Sequence, residues 1–203
     1  MAILSIRIIG DPILRTVAEE VSDFGPELAK LISDMTETMH DVRGAGLAAP
    51  QIGVNKRIFT YSVDGAEGHI INPVLVASDD MAPGEPEGCL SVPGLGYTVS
   101  RQRWVRITGV DQHGKPLDME ATGTLAKCFQ HETDHLNGKL YVDRLEGEDR
   151  KDALRAIRTA NYHDVTNETV AKRAKTVGSA FGGSFGAGAG ASAGAGTGAG
   201  AAQ

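Results

Sequence analysis

The stretch FQHETDHLNG, residues 129–138, places two histidines four positions apart with a glutamate directly after the first. On a helix, His131 and His135 lie one turn apart on the same face, so both imidazoles can reach a single ion. Glu132 then lies beside that ion without binding it. The pattern predicts a helix over about 124–137 that carries a metal site.

The composition is typical of a globular protein with one compact domain. Of the 203 residues, 41% are hydrophobic and 23% are charged, and the formal net charge is -6. The acidic residues are scattered, and no basic face is available for nucleic acid or for an anionic membrane surface. We therefore expect no direct binding to DNA or to membranes, and we expect a monomer.

The cysteine content and the N-terminus indicate a cytoplasmic protein. Two cysteines, Cys89 and Cys128, are too few for a disulfide framework in a chain of this length. The first fifteen residues, MAILSIRIIGDPILR, are interpreted as a short apolar strand that ends at a Gly-Asp-Pro turn. They contain no basic leader and no small-residue cleavage site, and no apolar run approaches the length needed to span a bilayer.

Hydrophobic periodicity predicts two further helices and several strands. Apolar residues recur at helical spacing over 27–42, and a more highly charged helix is predicted over 147–162. Runs of β-branched and aromatic residues, separated by turn-forming residues, predict strands at 57–63, 69–76 and 103–110. Strands therefore dominate the middle of the chain.

The C-terminal part of the chain has a different composition. From 176 to 203 the sequence consists mainly of Gly, Ala, Ser and Thr. So little apolar side chain cannot offset the entropy lost on ordering, which favours disorder over a weak β-stacking tendency of the Gly-Ala alternation. We assign residues 1–170 to the catalytic domain and 171–203 to a disordered tail.

A metal site needs a third protein ligand, because HExxH also occurs where both histidines are surface residues or hydrogen-bonded core residues. The metzincin extension HExxHxxGxxH is excluded, since Tyr141 occupies the position of its third histidine. A downstream carboxylate would make the chain a different metallopeptidase. The candidates, which no surrounding signature supports, are Glu146, Glu148 and Glu168.

Cys89 is the stronger candidate for the third ligand. It lies in EPEGCLSVPG, residues 85–94, on a turn-prone stretch and directly after a glycine. A thiolate binds Zn(II) or Fe(II) strongly. A lone cysteine is more often a core residue, and Cys128 fits that interpretation, because it precedes His131 by three residues in a helix that must bury one face.

The stretch RGAGLAAPQIG, residues 43–53, superficially copies a dinucleotide-binding fingerprint. That interpretation fails on context, because a helix precedes the stretch and Pro50 breaks any helix directly after it. We interpret it instead as an extended glycine-rich loop whose backbone can approach a ligand closely. Gln51 is the polar side chain on this loop.

Three of these stretches resemble the signature motifs of the peptide deformylases: GAGLAAPQIG at 44–53, EGCLS at 87–91 and QHETDHLNG at 130–138. Their order and approximate spacing are those of the family. The resemblance also takes in IRIIGDPILR near the N-terminus and INPV at 71–74. With the elements predicted above, it implies an α+β fold in which small antiparallel or mixed β-sheets pack around the central HExxH helix, with an N-terminal and a C-terminal helix.

The resemblance implies a metallohydrolase that removes the N-formyl group from the initiator formyl-methionine of nascent polypeptides and releases formate. It implies that Cys89, His131 and His135 bind one divalent metal ion and leave one position open for water. Members of the family use Fe(II) and accept Zn, Ni or Co as substitutes. The ligand set does not by itself choose among these metals.

The same resemblance assigns roles to further residues. Glu132 would act as general base and then general acid on a metal-bound water. The side-chain amide of Gln51 and the backbone N–H of Leu90 would stabilise the carbonyl oxygen. The substrate backbone would lie extended along three glycines, Gly44, Gly46 and Gly88.

Several residues near the expected site have two interpretations each. Leu47 and Cys128 are candidates for the wall of a methionine pocket, with burial in the ordinary core as the alternative. Lys127 is a charged residue near this pocket and departs from the pattern of the family. Its side chain either lines the rim of the pocket or faces solvent. A pair between Glu87 and Arg101 would fix the stretch that carries Cys89, and Asp134 would have a capping or orienting role. For both, the alternative is a position on the solvated surface.

Action on nascent chains implies transient contact with the ribosome. The basic residues of the predicted C-terminal helix could dock there, although a solvated helix face is the favoured interpretation of Arg150, Lys151, Arg155 and Arg158. A deformylase-like binding module without activity is a further alternative. Such a protein would be expected to lose a ligand or the glutamate, and both are intact here.

Overall fold

The computed structural model describes residues 2–160, and the predicted tail at 171–203 lies outside this range together with the end of the predicted domain and Glu168. Three α-helices occur in the described range: Pro26–Asp41 (α1), Gly123–Leu136 (α2) and Gly147–Thr159 (α3). All three lie within a few residues of their predicted positions. None of the helices in residues 2–160 combines the length and apolar character that crossing a bilayer requires.

Seven strands are present between residues 2 and 160. They are Gly46–Ala48 (β1), Ile58–Val63 (β2), Ala66–Ala77 (β3), Glu85–Cys89 (β4), Val92–Val99 (β5), Trp104–Val110 (β6) and Pro116–Thr122 (β7). One sheet has the order β1-β2-β3-β6-β7, and β4 and β5 form a separate two-stranded sheet. Every pair of these strands is antiparallel, which confirms the predicted α+β fold in its antiparallel form.

Helix α2 is the centre of the molecule. Its residues from Ala126 to Leu136 are buried almost without exception. Phe129 packs on the five-stranded sheet, where its ring lies 5.0 Å from that of Tyr61 and 5.9 Å from that of Phe59. Because a helix that is buried on all sides presents every side chain to protein, the polar residues of the HExxH motif are enclosed as well.

The N-terminal segment differs from its prediction. Residues 2–9 form no strand, and Pro12–Arg15 is a short 3₁₀ helix. The apolar segment makes single backbone bonds instead of a ladder: the N–H of Arg7 donates to Gln51 at 2.6 Å, and the N–H of Ile9 donates to Ser91 at 2.7 Å. It therefore fastens two loops that border the predicted site.

Candidate metal centre

The structure brings the three predicted metal ligands together from two elements. His131 and His135 extend from one face of α2, and Cys89 is the last residue of β4 rather than part of a loop. Sγ of Cys89 lies 3.3 Å from Nε2 of His135, which lies 3.2 Å from Nε2 of His131. All three side chains are buried, which keeps their donor atoms away from bulk water.

The cluster fits a small divalent cation. Its donor atoms all lie within 4.8 Å of one another. Metal–nitrogen bonds of about 2.0 Å and metal–sulfur bonds of about 2.3 Å at tetrahedral angles hold ligand atoms roughly 3.3–3.6 Å apart, close to the two separations seen here. Glu146 and Glu148, the alternative ligands within the described range, are exposed and lie outside the cluster.

Glu87 fixes the orientation of the His131 ring. Nδ1 of His131 lies 2.6 Å from the Glu87 carboxylate, so this nitrogen donates its hydrogen and Nε2 is the nitrogen that can bind a metal. The guanidinium of Arg101 donates to the same carboxylate, with 3.0 Å between Nε and Oε2. Burial alone would raise the pKa of Glu87, but His131 and Arg101 outweigh it and lower this pKa to about 2.

Arg101 extends this network to Asp134. Its Nη1 lies 2.6 Å from the Asp134 carboxylate, which also accepts two hydrogen bonds from Arg144 at 2.6 Å each. The predicted pairing of Glu87 with Arg101 is confirmed. A solvated surface is the wrong interpretation for both Glu87 and Asp134, because both carboxylates are buried. Arg144 was not singled out by the sequence, in which it is one of several arginines near a predicted helix.

The environment of Cys89 favours a thiolate. Burial raises the pKa of a thiol, but His135 and His131 outweigh burial and hold the pKa of Cys89 well below its usual value. The backbone N–H of Ser91 donates to the sulfur at 3.4 Å, and Nε2 of Gln51 donates to it at 3.7 Å. A thiolate is the form of cysteine that binds metals.

Glu132 lies next to the cluster with one oxygen available. Its side chain is 2% exposed, and Oε2 has no hydrogen-bond partner within residues 2–160. Burial raises the pKa of Glu132 to about 7. A carboxyl group with such a pKa can both accept and release a proton near neutral pH.

The glycine-rich stretch and the cysteine motif border the cluster from two sides. Oε1 of Gln51 accepts the backbone N–H of Ala48 at 2.8 Å, and its Nε2 donates to Oγ of Ser91 at 3.2 Å, so the amide has one orientation. Leu90 packs on Gly44, where a Cβ atom would lie 3.3 Å from Cδ1 of the leucine.

The predicted substrate-binding glycines differ in their surroundings. A Cβ atom on Gly46 would lie 2.5 Å from Oε1 of Glu132, so a side chain at this position would have to displace the glutamate. A Cβ atom on Gly88 would meet only a carbonyl oxygen at 3.7 Å, which is ordinary contact. The close approach of Glu132 therefore explains why position 46 is a glycine. The role of Gly88 in binding the substrate backbone stays a prediction.

The remaining side chains near the site are core residues or paired charges. Leu47 is fully buried in the cluster that includes Met39. Cys128 is fully buried with Sγ 3.5 Å from the carbonyl oxygen of Ala45, which confirms its interpretation as a core residue. The alternative in which Lys127 faces solvent is wrong, because this side chain is buried and its Nζ lies 2.6 Å from Glu85. Its place at the rim of a methionine pocket stays a prediction.

Comparison with known proteins identifies the family. Residues 3–151 match the family model for polypeptide deformylase. The peptide deformylase of Acidothermus cellulolyticus is 49% identical over 180 residues, which cover 89% of this chain and 99% of that relative. The peptide deformylase of a Parafrankia species is 51% identical over 164 residues, which cover 80% of this chain and 89% of that relative.

Solved structures show the same similarity in three dimensions. The crystal structure of a peptide deformylase from Legionella pneumophila aligns with a TM-score of 0.74 at 42% identity and covers 81% of this chain and 98% of that chain. The peptide deformylase of Synechococcus elongatus in complex with actinonin aligns with a TM-score of 0.72 at 38% identity. The alignment covers 78% of this chain and 88% of that chain. On this match and these identities, the chain belongs to the polypeptide deformylase family.

Proposed function

We propose that the chain removes the N-formyl group from the initiator formyl-methionine of nascent polypeptides and releases formate. Family membership supports this activity. The observation that carries it is the buried cluster of Cys89, His131 and His135 with the carboxyl group of Glu132 beside it. This combination provides a metal site and a proton acceptor in one enclosed place.

Cys89, His131 and His135 hold one divalent metal ion in this proposal. In this proposal the resident metal is Fe(II), as the resemblance to the family implies, and Zn, Ni or Co are substitutes that an imidazole–thiolate site also accepts. When bound, such an ion acts as a Lewis acid that makes water more acidic and polarises a carbonyl group. The Glu87 carboxylate keeps Nε2 of His131 directed into the site.

Glu132 carries the proton between the two halves of the reaction. Its buried carboxyl group accepts a proton from the attacking water while a C–O bond forms at the formyl carbon. It then donates that proton to the amine nitrogen as the C–N bond breaks, so the products are formate and a free N-terminus. Its partnerless Oε2 is available for this role.

Gln51 and Leu90 complete the site by donating to the carbonyl oxygen as it gains negative charge. The amide of Gln51 is already held beside the cluster by Ala48 and Ser91, which supports its assignment as the side-chain donor. The peptide backbone of the substrate lies extended along Gly44, Gly46 and Gly88 and bonds to them through its main chain.

We further propose a cytoplasmic monomer that contacts the ribosome transiently. The charged residues of α3 give little support to docking through this helix. Lys151 pairs with Glu148 at 2.7 Å, and Arg155 lies 3.6 Å from Asp152. These pairs favour the interpretation of α3 as a solvated face.

The test is formate release from an N-formyl-methionyl tripeptide by protein prepared in Fe(II) without oxygen. The N-acetyl analogue and a Glu132→Ala variant serve as controls. Release from the formyl peptide alone, lost in the variant, supports a deformylase with Glu132 as its base. No release from protein with one metal ion bound per chain would point to a binding module, and activity that survives Cys89→Ala would point to a different metallopeptidase.

A further inference from the structure

Three side-chain pairs join β4 to α2 in a regular series. On the strand the partners occupy alternate positions, and on the helix they occupy every fourth position, so each set lies on one face. In chain order the pairs are Glu85 with Lys127 at 2.6 Å, Glu87 with His131 at 2.6 Å and Cys89 with His135 at 3.3 Å. We call this series the β4–α2 ladder.

The geometry of the two elements explains why the ladder is regular. Two residues of a strand advance about 6.7 Å, and four residues of a helix advance about 6.0 Å. Each step of two along β4 is therefore matched by one step of four along α2. Because the steps match, the position of any one pair restricts the positions of the other two.

Among the described residues, a few backbone bonds rather than a continuous ladder tie the β4–β5 pair to the rest of the molecule, such as the bond from the N–H of Ile9 to Ser91 at 2.7 Å. In the described part of the chain, β4 is hydrogen-bonded as a strand to β5 alone, and this pair is separate from the five-stranded sheet. The β4–β5 register also shifts between Gly88 and Cys89, directly at the metal-binding end. Side chains therefore contribute to fixing the position of Cys89 along the helix.

The outer pair of the ladder contains no predicted metal ligand. The Lys127 side chain is 7% exposed, whereas the Glu85 side chain is 59% exposed. A buried ammonium group requires a charge partner, and Glu85 supplies one from the strand. The carboxylate is thereby held against α2 at a fixed distance from the end of the helix.

We propose that Glu85 and Lys127 are positioning residues for the metal centre. Their ion pair holds β4 at the position along α2 where Cys89 lies against His135. The inference rests on the proposed metal site. Neither residue contacts the metal, so the pair acts on metal retention through the ladder. Its loss lets β4 shift along α2, which costs metal affinity without removing a ligand.

The experiment measures the Zn(II) dissociation constant of the full chain by competition with a chelator. The variants are Lys127→Met, Glu85→Gln and the double substitution. Each single substitution should weaken binding about three- to tenfold, less than the ten- to hundredfold typical of a direct partner of a ligand. The double variant should bind Zn(II) about as tightly as the single variant with the larger loss of affinity, because both changes break the same pair.

A matched control removes an ion pair of the same kind elsewhere. Arg106 and Asp118 pair across β6 and β7 with both side chains half exposed, so Arg106→Met and Asp118→Asn should leave the dissociation constant unchanged. In the Co(II)-loaded protein, the thiolate-to-metal absorption band should change in the Lys127 and Glu85 variants and not in the controls. Glu85→Gln alters an exposed side chain, so it tests the pair even where Lys127→Met does not fold.

Two results would overturn the inference. Unchanged Zn(II) affinity in every variant, with reduced stability of the metal-free protein, would make the pair a purely structural contact. Losses that simply add in the double variant would show that the two residues do not act together. Failure of the metal site itself is separable, because it would appear as absent Zn(II) binding in the wild-type chain.

Discussion

Gly46 lies against the carboxylate of Glu132 so closely that a Cβ atom at this position would stand 2.5 Å from Oε1 and 2.7 Å from Cδ. Gly46→Ala should therefore displace the carboxylate. A displacement of about 1 Å can cost on the order of a hundredfold in rate. We expect kcat/KM for a formyl peptide to fall by that order while the metal content is unchanged.

The control for this substitution is Gly25→Ala, at the start of α1, where a Cβ atom would meet a side-chain oxygen of Asp23 at 3.2 Å. Formate release should continue at the wild-type rate in this variant. Full activity of Gly46→Ala would contradict the close approach and with it the assigned position of Glu132.

Replacing the proton carrier by its neutral isostere separates chemistry from metal binding. Glu132→Gln keeps the shape of the side chain but cannot accept a proton. We expect the rate of formate release to fall by about a hundred- to ten-thousandfold, with one metal ion per chain retained by elemental analysis. Loss of metal in this variant would mean that Glu132 also holds the ion.

Arg101 neutralises two buried carboxylates, and its removal should destabilise the fold. Arg101→Met leaves Glu87 and Asp134 without this charge partner, and breaking a buried pair in this way costs about 3–5 kcal/mol. Arg103→Met removes an exposed arginine that pairs with Asp80 and should cost no more than about 1 kcal/mol. Urea unfolding of both variants measures the difference, and equal losses would contradict the proposed role of the network.

His69 should make stability dependent on pH away from the metal centre. Burial is the main cause that lowers the pKa of His69, partly offset by Asp111, and Nε2 accepts the backbone N–H of Gln112 at 3.0 Å. Since the folded pKa is depressed, the unfolded chain binds the proton more readily. The stability that neutral His69 provides is therefore present above about pH 6.5 and is lost as the pH falls below it.

The measurement is the free energy of unfolding of wild type and His69→Gln at about pH 7.5 and about pH 5.5. The wild type should lose more stability on acidification than the variant, which retains an acceptor that cannot be protonated in this range. His113→Gln, at an exposed neighbouring position that is the smallest of the causes acting on the pKa of His69, should keep most of the wild-type pH dependence. An identical pH dependence in all three proteins would exclude His69 as the cause.

Metal binding should stabilise the fold through Cys89. At a free Zn(II) concentration one hundred times the dissociation constant, the free energy of unfolding should rise by about 2.7 kcal/mol, since the ion binds the folded state. In Cys89→Ala the increase should be much smaller at the same concentration. Thermal unfolding with and without a chelator tests this, and equal shifts in both proteins would place the ion elsewhere.

The sequence predicted the parts of this molecule that have a local signal. The three helices follow from helical spacing, and Cys89 follows from its motif. By contrast, β4 and β5 were missed because Gly and Pro interrupt both strands, and β7 is an edge strand with alternating polar residues. The burial of Lys127 and the role of Arg144 depend on partners distant in sequence or across elements, which periodicity does not reveal.

The placement of Cys89 and His135 on separate elements has a consequence for the unfolded chain. The two residues are 46 positions apart in the sequence, so an ion held between them closes a loop in the manner of a disulfide bond. For a loop of this length the chain-entropy model puts the cost of closure at about 4 kcal/mol at 25 °C, so the unfolded chain would bind an ion between these two residues far more weakly than the folded one. A bound ion would thus join the two-stranded sheet to the central helix only while the chain is folded, in a protein without a disulfide among its described residues.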